Sequence, residues 1–238
     1  MNKIIDIIIV VIFLICIWSG FKKGLIMGAG GIVAIAVSLI GANLLSSAFS
    51  YEIIPALRPF ISGLTEKQIN EKIMIDMGFE DYDLSVDDIF ARNPELVPEF
   101  CVRCYKELGI HENTAEKMAV EAAELAAEKD IGIQAAAVDV LCRNITFSAG
   151  FLLAFLLLLI ILIVIGNIPN LSFKIPNLDL LNDIGGAAFG FVTAFALSSV
   201  LVWATKFMGM IIGSETIENT FIAEKFANID LLGKALGI

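Results

Sequence analysis

From Phe151 to Ile165 every residue except Ala154 is Phe, Leu, Ile or Val, and no charge or polar side chain interrupts the run. A helix that is apolar on every side is either the middle of a large core or a membrane span. Other long apolar segments lie at Ile4 to Trp18, broken only by Asp6, at about 24 to 45 and at about 185 to 212. Each approaches or exceeds the roughly 20 residues that a helix needs to cross the hydrocarbon. With 58% of 238 residues apolar and a mean hydropathy of +0.84, the chain holds more apolar side chains than one soluble core of this length needs. The expected fold is all-α, an integral membrane protein with four transmembrane helices and a soluble helical insertion between helices two and three.

The charge pattern divides the chain in the same way. From Tyr51 to Thr146 there are 19 Asp and Glu against 9 Lys and Arg, whereas the rest of the chain carries 7 of each, so the whole net charge of -10 lies in the middle. The expected boundaries are 1–49 for helices one and two, 50–144 for the acidic insertion, 145–213 for helices three and four, and 214–238 for an amphipathic tail. Nucleic-acid binding is excluded as a class, because it needs clustered Lys and Arg to neutralise phosphates. The first run, behind Lys3, looks like the core of a signal peptide. However, Trp18-Ser19-Gly20-Phe21-Lys22-Lys23 is no small-x-small cleavage site and a second apolar run follows at once, so it reads as a retained span.

In the insertion, Thr65 with Gln68 and Asn113 with Glu116 have the spacing of capping boxes, and Asn93 before Pro94 suits a cap and first helical position. Helices are expected near 66–77, 86–92, 94–108 and 114–129. The last continues beyond Gly132, through Ala135 to Ala137, into span three. Gly166, Asn167 and Pro169 end that span.

Spans two and four carry small residues at four-residue spacing: Gly30, Ala34, Ser38, Ala42 and Ser46 in one, Gly186, Gly190, Ala194 and Ser198 in the other. Positions four apart share a helix face. In lipid, faces of small residues mark close helix contact, since apolar side chains gain nothing by hiding from apolar solvent. These stripes pair spans two and four, within one molecule or between copies of a homo-oligomer. Lys22 and Lys23 in the short first turn, with Lys174, place that side of the protein inside and the termini and insertion outside.

Candidate chemistry is sparse. Asp6 is an ionisable group near the end of a span, and Asn182 with Asp183 is either a helix cap or a polar site at the membrane edge. Cys101 and Cys104, with His111 and Cys142, are a weak zinc set, a candidate disulfide, or packed thiols. With a single histidine and no nucleophile or phosphate-loop motif, no catalytic residue, metal or cofactor is expected. A transport or export path lined by Asp6, Thr193, Ser198 and Ser199 is the alternative, although Ser and Thr more often bond their own helix.

The order of Asp6, then Gly20-Phe21-Lys22-Lys23-Gly24, then Asn182-Asp183-Ile184-Gly185-Gly186 with Gly190, then Ser214 and Ile217 resembles the colicin V production protein family over residues 2–49 and 145–232. The resemblance implies a multi-pass protein of the bacterial cytoplasmic (inner) membrane, without catalytic activity. Its implied role lies in toxin production and cell-envelope maintenance. Related domains precede an extracytoplasmic serine protease, which implies an outer C-terminus. Asp183 stands where members often carry a basic residue, and the long acidic insertion implies an added surface for a protein partner.

Overall fold

A computed structural model describes residues 3–79, 84–167, 179–209, 216, 220–229, 232 and 233. Its elements are helical: α1 (Lys3–Gln68), a π-helical turn (Ile69–Ile73), α2 (Met74–Asp76), α3 (Val86–Arg92), a 3-10 turn (Pro94–Leu96), α4 (Val97–Glu107), α5 (Glu112–Lys129), α6 (Ile133–Asn167), α7 (Asp179–Thr205) and α8 (Ile222–Ile229). No strand occurs among the described residues. Three of these helices, α1, α6 and α7, are long and apolar enough to cross a membrane.

The chain forms two units. The first draws its described residues from Met1–Ala48, Ala149–Ala204 and Thr216–Ile238, the second from Phe49–Ser148 and Thr205–Glu215. The second unit therefore takes in the residues that follow α7 as well as the expected insertion. Inside it, Gly109 has φ 78° and backs onto the Gly209 backbone, and the His111 amide reaches Lys206 O at 3.4 Å.

The first unit has an inverted distribution of residues. Leu14, Leu44, Leu153 and Ile160 are largely exposed, while Ser38, Ala42, Ser46, Asn182, Ala194 and Ser198 are buried. In water this arrangement would be unstable. In hydrocarbon it is expected, because surface leucines cost nothing and small residues let helices approach. A few large side chains fill the remaining interior: Phe151, Phe155 and Trp203 form one cluster, with Trp203 edge-on to Phe151 at 5.1 Å.

In α1, Gly24 alone leaves helical geometry, at φ 79° and ψ 178°, which divides the helix into 3–23 and 25–68. That region is open essentially to glycine only. The first part runs on past Trp18 and, at 1.5 Å per residue, is about 31 Å long, enough for the hydrocarbon. The second part does not stop near Leu45. It passes through Pro55 and Pro59 to Gln68, although an interior proline removes one ladder bond and crowds the carbonyl four residues before it. Thr65 is correspondingly no cap: its hydroxyl donates back to Ile61 O within the helix, at 2.8 Å. The helix that contains span three begins at Ile133, after Asp130 turns the chain at φ 52°. The helix that contains span four runs from Asp179 to Thr205, earlier than the expected 185–212, so Asn182 and Asp183 lie inside it and not before it. The link 168–178, with Pro169 and Lys174, lies outside the described residues.

The second unit is built like a soluble protein. Phe90 and Phe100 lie tilted with ring centroids 4.3 Å apart, Phe79 is edge-on to Phe90, and α5 lays Ala115, Met118, Ala119 and Ala122 along one buried stripe. Tyr105 donates its hydroxyl to Ala137 O at 3.0 Å. The caps differ from the sequence pattern. Ser85 accepts from Asp88 N–H to start α3, and His111, not Asn113, occupies the N-cap of α5. Cations here engage carboxylates, among them Arg58 with Asp139, Lys72 with Glu107, Arg103 with Glu99, Lys106 with Glu112 and Arg143 with Glu121.

Candidate packing site at the Gly24 turn

The family-like residues of the first unit meet where α7 crosses the bend of α1. Asn182 is almost wholly buried, and its Oδ1 accepts the Leu25 N–H at 3.0 Å. That amide opens the helical segment 25–68 and has no partner within its own helix. Asn182 therefore caps a helix 157 residues away in sequence, and its amide group packs against the space that a Gly24 side chain would need. Lys22 lies over the Trp18 ring at 5.0 Å, while Phe21 and Lys23 are exposed.

One turn further along α7, Gly186 meets backbone alone. A methyl group there would overlap Gly20 O and sit 2.9 Å from Gly24 Cα. At Gly190 it would overlap Cys16 O and lie 2.9 Å from Ile17 Cα. Gly185 packs on Leu25, and Gly28 on Phe189. Beyond them, Phe13 meets Phe191 edge-on at 5.2 Å, and Thr193 faces Gly31. The pairs Gly20–Gly186, Cys16–Gly190 and Phe13–Phe191 show α7 running against 3–23. The pairs Leu25–Asn182, Gly28–Phe189 and Gly31–Thr193 show it running with 25–48. The bend at Gly24 is thus a helical hairpin with α7 packed on both arms.

This geometry redistributes the two stripes. Gly186 and Gly190 contact the segment 3–23, while α7 also lies against 25–48, the expected partner, through Gly28 and Gly31. Gly30 faces open space, Ala34 is half-buried, and Gly28 and Gly31 make the approach instead. Lower on the same arm Gly41 meets Leu158 and Ser46 meets Gly150, so that end serves α6. The drift arises because a four-residue repeat advances about 40° per step on a 3.6-residue helix. Ala42, Ala194, Ser38 and Ser198 are fully buried, and the two serine hydroxyls have no partner among the described residues. The missed signal was Gly20, Gly24 and Gly28, also spaced by four and interrupted by the turn.

Asp6 lies elsewhere in this unit. Its Oδ2 accepts the Phe221 N–H at 2.9 Å, and its Oδ1 accepts those of Ile222 and Ala223 at 3.1 Å each. Ser199 donates to Phe195 O of its own helix. Asp183 is half-buried, and Ser214 and Ile217 lie outside the described residues.

In the second unit Cys101 and Cys104 are free thiols on successive turns of α4, fully buried, and Cys142 is buried and free as well. Burial pushes the Cys101 thiol up to about 12 and raises that of Cys104 too, with the neighbouring Cys101 adding to the latter. Both are neutral near pH 7 and therefore poor nucleophiles and poor metal ligands as they stand. No group of three His, Cys, Asp or Glu side chains converges as a metal site among the described residues.

Residues 117–230 match the family model of the colicin V production protein. Over that stretch, just under half of the chain, the sequence is similar to the colicin V production protein family. The match begins inside α5, so the family region takes in part of the helical unit as well as α6, α7 and α8, and with them Asn182, Gly186 and Gly190. Asp6 and the Gly20 to Gly24 turn precede it. No curated protein and no solved structure matches the chain. The family match and three span-capable helices together support a membrane protein.

Proposed function

We propose that the chain is a four-span, non-enzymatic protein of the bacterial inner membrane, in which a packed helical hairpin carries an acidic helical unit that meets a protein partner. The observation that carries the four-span count is the bond between Asp6 and the residues that open α8. A carboxylate at the start of span one and amides beyond the last span must lie on the same face of the bilayer, which requires an even number of crossings between them. Three helices are long enough to cross, and the Gly24 bend turns α1 into two crossings. Four is the even number that results.

With Lys22 and Lys23 at the short turn taken as cytoplasmic, the termini and the acidic unit face outward. The family name and the resemblance support a role in toxin or bacteriocin production and envelope maintenance. A surface on which the net charge of -10 resides suits a basic partner. Self-association through the outward Gly30 face completes the reading, because Gly186 and Gly190 are already used within one molecule. The transport alternative draws little support from Asp6 and Ser199, whose oxygens are engaged at the tail and in the helix.

The test is proximity labelling in the native cell from a tag in the acidic unit, with thiol reagents probing cysteines placed at Lys23. Extracytoplasmic neighbours around the tag, with position 23 reached only from the cytoplasm, support the topology and point to the partner. A tag that labels cytoplasmic proteins, or a position 23 that is open from outside, would overturn it.

A further inference from the structure

We propose that Asp6 is a latch that fastens the C-terminal helix α8 to the start of the first membrane segment. The first amides of any helix lack partners within it and are ordinarily capped by a side chain just before them. Here a carboxylate 215 to 217 residues away takes three such amides, those of Phe221, Ile222 and Ala223. A negative charge is also the favoured occupant of the positive end of a helix dipole. The rest of the attachment is modest: Ala223 and Ala227 are fully buried, and Phe226 packs on Phe195 at 5.1 Å. Glu224 and Lys225 point outward, with Lys225 over the Phe221 ring at 4.1 Å.

An eight-residue helix cannot hold its own shape in water. α8 therefore exists by virtue of two anchors, the Asp6 carboxylate at one end and the Ala223, Phe226 and Ala227 face along its length. Displacing the first leaves three amides, one exposed and two part-buried, without their acceptor and the positive end of the helix without its countercharge. α8 is thus a strap whose closed state depends on one side chain at the far end of the chain. Opening it would uncover the apolar face of α8 and the patch around Phe195 together. This inference stands apart from the partner and toxin reading, since it concerns contacts within the first unit.

Two measurements on the full-length protein in lipid nanodiscs test it. In the unaltered chain, residue-resolved hydrogen exchange should find the amides of 221–223 slowed at least a hundredfold against the intrinsic rate, although first-turn amides normally exchange freely. In an Ala227→Cys background, labelling by a water-soluble maleimide should speed up at least tenfold on adding Asp6→Ala and by less on adding Asp6→Asn, which keeps one acceptor oxygen. An Ala194→Cys control on α7 should remain unlabelled throughout. Unprotected amides at 221–223, or equal labelling of position 227 with and without the carboxylate, would overturn the latch. If Asp6→Ala also opens position 194, the exchange measurement on the unaltered chain decides alone.

Discussion

Substituting alanine at Gly186 and, separately, at Gly190 separates close backbone packing from mere tolerance of small residues. At either site the new methyl would lie 2.9 Å from a backbone Cα, Gly24 in one case and Ile17 in the other, and would overlap a carbonyl oxygen. Carbon contacts relax near 3.5–4.0 Å, so the helices must part by about 0.6–1 Å, and no flexible side chain is present to yield instead. Forced overpacking of this kind costs about 1–3 kcal/mol. For a chain of this length about 2 kcal/mol lowers Tm by roughly 4–8 °C. Gly30→Ala is the matched control. Nothing lies within 4 Å of its added methyl, and replacing a helical glycine by alanine gains about 0.5–1 kcal/mol where space allows. The assay is thermal unfolding in detergent followed by the fluorescence of the buried Trp203. Opposite signs, down at 186 and 190 and level or up at 30, are expected. Equal shifts at all three sites would refute the packing argument.

The other predictions concern the cap, the thiols and the second unit. Asn182→Ala removes the acceptor of the part-buried Leu25 N–H and should cost about 1–3 kcal/mol, read as a lower detergent or denaturant midpoint, whereas Asn182→Asp, which keeps the oxygen, should lose less. Cys101 and Cys104 should resist alkylation at pH 8 in the folded protein and react once it is unfolded, with mass spectrometry as the readout. Because the folded Cys101 holds its proton from the ordinary 9.0 up to about 12, its contribution to stability is present below pH 9 and is lost as pH rises through that window. Cys101→Ala should flatten that part of the pH profile. Tyr105→Phe deletes the bond to Ala137 O and should destabilise by about 1 kcal/mol in urea melts without altering membrane insertion.

The membrane class, the four apolar segments and the helical character of the acidic middle were legible in the sequence. These are properties of periodicity and composition, and local physics decides them. A run such as 151–165 suits lipid on every side, and Gly24 in Gly20-Phe21-Lys22-Lys23-Gly24 is where the chain bends. Boundaries were less legible. Pro55 and Pro59 look like helix breakers yet lie inside α1, and Thr65 with Gln68 has the form of a cap yet sits mid-helix. Capping at Thr65 is worth about 1 kcal/mol and is overridden by its place in a longer helix, whereas each proline costs about 3 kcal/mol inside a helix, and nothing in the structure offsets it, since both are exposed.

Tertiary structure alone decided the partners. Which face of a stripe meets which helix depends on crossing angle and on accumulated rotation along the helix, so Gly30 turns outward while Gly28 and Gly31 turn in. Asn182 reads as a cap for its own helix and caps 25–68 instead, and Asp6 reads as an interface carboxylate and binds the far end of the chain. In both cases the side chain answers an unpaired backbone amide. Sequence shows that a helix start needs an acceptor; only the fold shows which residue, more than 150 positions away, stands close enough to supply it.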